Sequence, residues 1–324
     1  MIIIAGSGIA GSYLARRLFN SGIDVKLYDP KKPGFRIPCG YATNEITFRD
    51  FARLAGAEGD EYIQRVADSV ILTGKDMPEL HFRSAGLCTI DKNRFEADLV
   101  SPVGVMQSQA PWPGDNDILV DATGISRHYL GAAPDDYTMH TTEYLTASAG
   151  HTGFYFRYFP RGQGYFWEFP LEHGFHVGAG SDSQDLIRKS LGNPAHSAVM
   201  ARDLRLKPLF HRMFQGRVIG VGESIGTVSP ITGEGILPSL HCAETLYRVL
   251  SREDDLHEIR IRYGNDVRKK FGHYQRLFSL LMDARNGRLA RPANIAAIRA
   301  VKRDFRNFGI DLGIARVLKE LLFR

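Results

Sequence analysis

Met1-Ile2-Ile3-Ile4-Ala5-Gly6-Ser7-Gly8-Ile9-Ala10-Gly11-Ser12-Tyr13 opens the chain, and Asp24-Val25-Lys26-Leu27-Tyr28-Asp29 follows after Gly22. The apolar run 2–5 reads as a short buried strand and residues 6–11 as a glycine-rich turn. Residues 13–20 read as a helix closed by Gly22, and 24–28 as a second strand. Strand, turn, helix and strand in this order begin a Rossmann unit. Gly6, Gly8 and Gly11 match G-x-G-x-x-G around Ile9 and Ala10. Gly6 permits the tight turn, Gly8 lets the backbone approach a pyrophosphate, and Gly11 lets the helix lie close to the strand. The pyrophosphate then sits at the positive end of the helix. Asp29, at the end of the second strand, can bind ribose hydroxyls and disfavours a 2′-phosphate. The fingerprint predicts a dinucleotide site and does not by itself separate NAD from FAD.

At 324 residues the chain is long enough for more than one domain. Its three cysteines, Cys39, Cys88 and Cys242, are too few and too scattered for a disulfide framework or a zinc knuckle. An odd count fits a reducing cytoplasm. Met1 leads directly into an apolar strand, which predicts no signal peptide, and no apolar run reaches the roughly 18 residues of a membrane span. The histidines show no HxxxH or HExxH spacing, so no metal site is predicted. The net charge of +5 is concentrated beyond residue 284, where ten Lys or Arg face three acids. There Ala296, Ala297, Ala300, Val301 and Phe305 fall near helical spacing, with Arg299, Lys302, Arg303 and Arg306 between them. Such a basic amphipathic C-terminus fits peripheral contact with the inner membrane surface. The alternative, slightly favoured, is a solvated helix packed on its own protein. No nucleic-acid motif is present.

Further along, 69–73 and 79–83 read as a β pair, 95–100 as a short helix and 118–122 as a buried strand. Residues 154–158, 165–170 and 175–177 are aromatic-rich and β-like, suited to an antiparallel sheet over a ligand. Residues 217–221 read as a strand, 222–235 as a glycine-rich loop and 236–251 as a helix, with helix expected from there to the end. In the stretch 165–169, Tyr165, Trp167 and Phe169 alternate with Phe166 and Glu168, so one face is expected to meet a ligand and the other not.

Two segments carry a family resemblance. Asp117-Ile118-Leu119-Val120-Asp121-Ala122-Thr123-Gly124 ends as do the strands that return to the nucleotide in two-dinucleotide flavoproteins. Gly220-Val221-Gly222-Glu223, followed by Pro230-Ile231-Thr232-Gly233-Glu234-Gly235-Ile236, resembles the second flavin segment of the p-hydroxybenzoate-hydroxylase-like FAD-dependent oxidoreductases. Within that superfamily the chain is most similar to the geranylgeranyl reductases, in particular the archaeal digeranylgeranylglycerophospholipid reductase-like enzymes. Arg36-Ile37-Pro38-Cys39-Gly40 resembles their K-P-C-G segment. Tyr165-Phe166-Trp167-Glu168-Phe169-Pro170 resembles their aromatic F-P motif, and Lys92-Asn93-Arg94-Phe95 their arginine-bearing helix start.

The resemblance implies an α/β fold: a Rossmann-like FAD-binding domain interrupted by an antiparallel substrate sheet and followed by a helical tail. The boundaries expected are 1–50 with 85–130 and 215–265 for FAD, 51–84 with 131–214 for substrate, and 266–324 for the tail. It implies cofactor contacts at Gly6, Gly8, Ile9, Ala10, Gly11, Asp29, Pro38, Cys39, Gly40, Arg94, Ala122, Thr123 and Gly124. Further contacts are implied at Gly222, Glu223, Pro230, Gly233, Glu234, Gly235 and Ile236. Tyr165, Trp167, Phe169 and Pro170 would meet the substrate, with Cys39, Tyr165 and Trp167 at the reacting centre. Cys39 otherwise reads as a small buried hydrophobe, and Glu234 as a helix cap. The implied activity is saturation of isoprenoid double bonds in membrane ether-lipid precursors, using FAD reduced by ferredoxin, a deazaflavin or NAD(P)H. The alternatives are a flavin monooxygenase, a lycopene-cyclase-like enzyme and a non-catalytic flavin or prenyl-lipid binding protein. Two departures stand out. Glu223 replaces the family's Asp, and the short 95–116 segment implies an open adenine pocket.

Overall fold

In the computed structural model the described residues are 1–32, 35, 39–75, 77–192, 198–288 and 292–313, with the backbone alone for 292–296 and 298. The chain begins with β1 (Ile2–Ala5), α1 (Ile9–Asn20), β2 (Val25–Tyr28), β3 (Ala42–Asn44), α2 (Glu45–Leu54) and β4 (Ile63–Val66). The hairpin β5 (Ser69–Gly74) and β6 (Met77–Ser84) precedes β7 (Leu87–Ile90), α3 (Lys92–Val100) and β8 (Ile118–Asp121). Four long strands follow, β9 (Thr138–Thr146), β10 (Phe154–Tyr158), β11 (Gly164–Pro170) and β12 (Phe175–Ser181), then α4 (Gln184–Leu191) and β13 (Met200–Arg205). The chain returns through β14 (Phe214–Gln215), β15 (Val218–Gly220) and α5 (Ile236–Leu250). It finishes with α6 (Leu256–Phe271), α7 (His273–Arg285), α8 (Pro292–Phe308) and β16 (Ile310–Asp311).

A five-stranded sheet of order β14-β15-β8-β1-β2 forms one layer. All but β14 run parallel, with Ile2 opposite both Val25 and Ile118. Strands covered on both faces need continuous apolar sequence, and Ile2–Ala5 and Ile118–Asp121 are buried throughout. An eight-stranded sheet of order β13-β9-β12-β11-β10-β5-β6-β16 lies above it, and β3, β7 and β4 make a third, small sheet. Among the described residues no helix is long and apolar enough to cross a membrane.

The expected elements are present with shifted ends. The first helix starts at Ile9, four residues earlier than its apolar pattern, because Gly8 serves as its N-cap directly after the turn. The tail departs from the expectation of helix throughout. Ile310 and Asp311 pair with Ser84 and Arg83, closing the edge of the large sheet. Phe305, Phe308, Ile310 and Leu312 share one core with Leu72, Phe156, Trp167 and Phe169, so residues 305–312 belong to the large sheet's packing. The basic positions Arg291, Arg316, Lys319 and Arg324 lie outside the described residues. In the short 95–116 segment Met106 forms an isolated bridge with Tyr28 of the parallel sheet.

Arg205, at the end of β13, joins the two large sheets. Its guanidinium is 3% exposed and donates to the carbonyls of Gly124 (3.1 Å), Ile125 (2.7 Å) and Glu223 (2.8 Å) and to the Asp136 carboxylate (2.9 Å). A planar five-donor group can serve these acceptors at once; an ammonium cannot. Arg205→Lys is therefore expected to leave buried carbonyls unpaired and to cost about 3 kcal/mol, read as a lower midpoint at unchanged slope in urea unfolding.

Candidate functional site

The glycine turn after β1, the turn after β8 and the loop after β15 meet in three dimensions. Gly6 has φ +102°, and a Cβ there would lie 2.5 Å from the Ala122 carbonyl oxygen. A Cβ on Gly11 would lie 1.9 Å from the Gly6 carbonyl oxygen, so the first turn of α1 sits directly on the strand end. Gly222 packs against Ala10 in the same way. The turn after β8 is held by Asp121, whose carboxylate accepts from the N–H groups of Thr123, Tyr129 and Leu130 and from the Thr123 hydroxyl. At Gly8, by contrast, an added Cβ would meet nothing within 4 Å, and the N-terminus of α1 carries no side-chain cap. Open space before uncapped, positively polarised amides is what a pyrophosphate requires.

From Ile9 a cavity of about 730 Å³ extends between the loop after β15 and the large sheet. Of the expected cofactor residues, Ile9, Cys39, Gly40, Glu223, Pro230, Gly233, Glu234, Gly235 and Ile236 line it. So do Tyr165, Trp167 and Phe169, whereas Phe166 packs with Tyr155 and Val177 on the opposite face. Gly6, Ala10, Gly11, Ala122, Thr123, Gly124 and Gly222 form the packed turns beside it, with Gly8 facing open space. Pro38 lies outside the described residues. Asp29 is buried, and its carboxylate accepts from Ser7 N and Oγ (2.8 Å each) and from Lys31 N (2.9 Å), leaving little capacity for a ribose.

Two of the expected residues, Arg94 and Pro170, do not line the cavity. Arg94 points away from the cavity, half-exposed, to Glu61 and the Tyr62 ring; Lys92, two residues earlier and buried, lines the wall instead. The register of α3 decides this, because residues two apart project to opposite sides of a helix. Pro170 ends β11, and its carbonyl accepts the Thr89 hydroxyl (2.6 Å) away from the wall. Glu223 does line the cavity, but its carboxylate is ion-paired with Arg202 and accepts the Arg205 N–H (3.0 Å). The extra methylene that separates it from Asp lets it reach β13.

Glu143 and Arg202 were not legible as site residues, because β9 and β13 have weak strand patterns. The only signal for Glu143 was an acid inside a β-branched run, Thr141-Thr142-Glu143-Tyr144. Glu143 is 1% exposed, and burial carries its carboxyl up to about 7 against the lowering effects of the Cys39 N–H, Arg202 and Lys92. Burial likewise raises the Cys39 thiol. Glu234 caps α5 through the Leu237 N–H (2.8 Å), and burial raises its carboxyl to about 8. A neutral Glu234 puts no negative charge at the N-terminus of α5. Among the described residues no cluster of His, Cys, Asp or Glu could hold a metal.

No family model and no curated protein matches the chain. Solved structures do. A geranylgeranyl bacteriochlorophyll reductase-like protein from Thermoplasma acidophilum superposes with a TM-score of 0.71 at 14% identity, covering 99% of this chain and 98% of that one. A tryptophan 6-halogenase from Streptomyces toxytricini gives 0.68 at 16% identity, covering 93% and 84%. A probable FAD-dependent monooxygenase from Pseudomonas aeruginosa gives 0.65 at 15% identity, covering 92% and 99%. The chain shares the fold of these structures, one of which is described as a probable FAD-dependent monooxygenase. The uncapped α1 terminus, the close-packed glycines and the adjoining cavity of this chain fit such a cofactor.

Asp304 ties α8 to the loop of the site, accepting the Ser229 hydroxyl. Burial raises its carboxyl from 3.8 to about 7. The folded state thus holds the proton more tightly, and the stability this gives is full below the unfolded value and lost as pH rises through about 7. Asp304→Asn is expected to flatten that loss: between about pH 5 and pH 8 its melting temperature should fall less than that of the unaltered protein.

Proposed function

We propose that this protein is an FAD-dependent oxidoreductase that saturates isoprenoid C=C bonds of geranylgeranyl-bearing membrane ether-lipid precursors. One observation carries the reading. The cavity joins the glycine-rich cradle to an aromatic and aliphatic wall formed by Tyr165, Trp167, Phe169, Leu72, Phe82 and Phe308, as a long apolar chain needs. The motif resemblance at Cys39-Gly40 and residues 165–169 supports it, as does the likeness to the reductase-like fold.

The α1 amides and the turns at Gly6, Gly8, Gly11 and Gly124 would hold the dinucleotide, and the loop from Pro230 to Ile236 would face the flavin ring. When bound and reduced, the flavin supplies a hydride. The chain's own residues orient the substrate and exclude water. Tyr165 is fixed by donating its hydroxyl to the Thr232 carbonyl, and Trp167 lies against Gly178. Their π faces would stabilise positive charge developing on an isolated alkene. Reduction of the flavin falls to an external donor: ferredoxin, a deazaflavin or NAD(P)H.

A second reading, a monooxygenase of the same fold, is favoured by Trp167 Nε1. It is buried with no hydrogen-bond partner among the described residues, and a substrate oxygen near it would supply one.

The purified protein is expected to bind FAD, and Gly11→Val to lose it, because the added side chain collides with the Gly6 carbonyl. Anaerobic reduction with dithionite followed by a geranylgeranyl lipid should reoxidise the flavin and raise the lipid mass by roughly two units per double bond. A product heavier by one oxygen, formed only with O₂, would select the monooxygenase. Failure to bind FAD after reconstitution would overturn both readings.

A further inference from the structure

On the cavity side of the large sheet, β12 carries glycine at Gly178 and Gly180. Gly178 stands opposite Trp167 on β11 and opposite Glu143 on β9. Directly opposed residues of antiparallel strands project to the same face, so Trp167, Gly178 and Glu143 form one row across three strands. The absent side chain lets the indole fold onto β12: a Cβ on Gly178 would lie 2.1 Å from Trp167 Cζ2. A Cβ on Gly40 would lie 3.2 Å from Trp167 Nε1, and the Cys39 N–H donates to Glu143 Oε1 at 2.8 Å. Adjacent backbone positions therefore bring both side chains to one point of the wall.

Glu143 Oε1 takes the Cys39 N–H, while Oε2 is buried without a hydrogen-bond partner among the described residues. An ionised Glu143 would leave that oxygen charged and unpaired; a carboxylic acid places its proton there. The groups around it are Cys39, Lys92 from α3, Arg202 from β13 and His176 from β12, whose Nδ1 lies 3.6 Å from Oε1. The two cations favour ionisation, and burial outweighs them.

We propose that Glu143 is the catalytic acid of this site, delivering the proton on Oε2 to the alkene carbon that does not receive the hydride. The assignment rests on the reductase reading above. The alkene π bond breaks, one new C–H bond takes the hydride with its electron pair and the other takes the proton. The Oε2–H bond breaks and leaves a carboxylate, which is reprotonated from water; the alkene is reduced and the flavin oxidised. Of the other proton-bearing groups of the wall, Glu234 titrates higher, at about 8, and its Oε1 is taken by the Thr43 hydroxyl and the Leu237 N–H. Burial raises the Cys39 thiol, and the Tyr165 hydroxyl is also raised and committed to the Thr232 carbonyl. An acid titrating near the working pH is the better donor.

Glu143→Gln keeps the acceptor for Cys39 and the shape of the side chain. In single-turnover reoxidation of the dithionite-reduced holoenzyme by a geranylgeranyl lipid, it should be slower by about 100-fold or more, with FAD affinity unchanged. The rate of the unaltered enzyme should fall as pH rises above about 7, and that of Glu143→Gln should not. Infrared difference spectra of the protein without substrate should show a carboxylic-acid band that titrates near neutrality and is missing in Glu143→Gln. An unchanged rate in Glu143→Gln would overturn the proposal while leaving the reductase reading intact. Absence of the band would overturn it whatever the substrate. An unaltered enzyme that no alkene reoxidises would sink the reductase reading and the alkene step with it; the infrared titration alone would then decide whether Glu143 stores a proton.

Discussion

Arg205 sets the distance between the two large sheets. Its guanidinium takes the carbonyls at the ends of two parallel-sheet loops, its backbone N–H takes Glu223, and Asp136 neutralises its charge. With β13 anchored to those loops, β9, β12 and β11 are carried over the carboxyl ends of β1, β8 and β15, where ligands of open α/β sheets bind. The Glu223–Arg202 pair adds a second fastening along β13. A cavity that is apolar on one side and glycine-lined on the other follows from these contacts.

Within that cavity the chain places its acids so that burial decides their charge. Glu143 and Glu234, on opposite walls, are both held toward the neutral form by desolvation. Neutrality suits an apolar substrate, since a charged carboxylate beside a hydrocarbon chain lacks the water or partners it needs. It also leaves the positive ends of the helices unopposed by these carboxyls, and such ends accommodate the negative charge of a dinucleotide.

The C-terminal region completes the site rather than trailing from it. Phe305 and Phe308 of α8 line the cavity, β16 closes the sheet edge beside β6, and Asp304 reaches the loop after β15. The basic helix, read from sequence as suited to a membrane surface or, slightly better, to its own protein, has its apolar residues Val301, Phe305 and Phe308 packed against the sheet core.

The sequence by itself determined the Rossmann start, because glycine spacing and a four-residue apolar strand are local demands of backbone geometry. It determined equally which face of β11 meets the cavity, since strand alternation has a period of two. Residue type at single positions was also legible: Gly6 and Gly11 admit no side chain, and Glu234 caps a helix three residues on. Only the tertiary structure decided that Lys92, not Arg94, faces inward, because that depends on where α3 begins. Only it revealed Glu143, whose chemistry comes from burial and from the approach of Cys39, distant in sequence. The strand pairings that create that environment join residues far apart in the chain, and no local pattern encodes them.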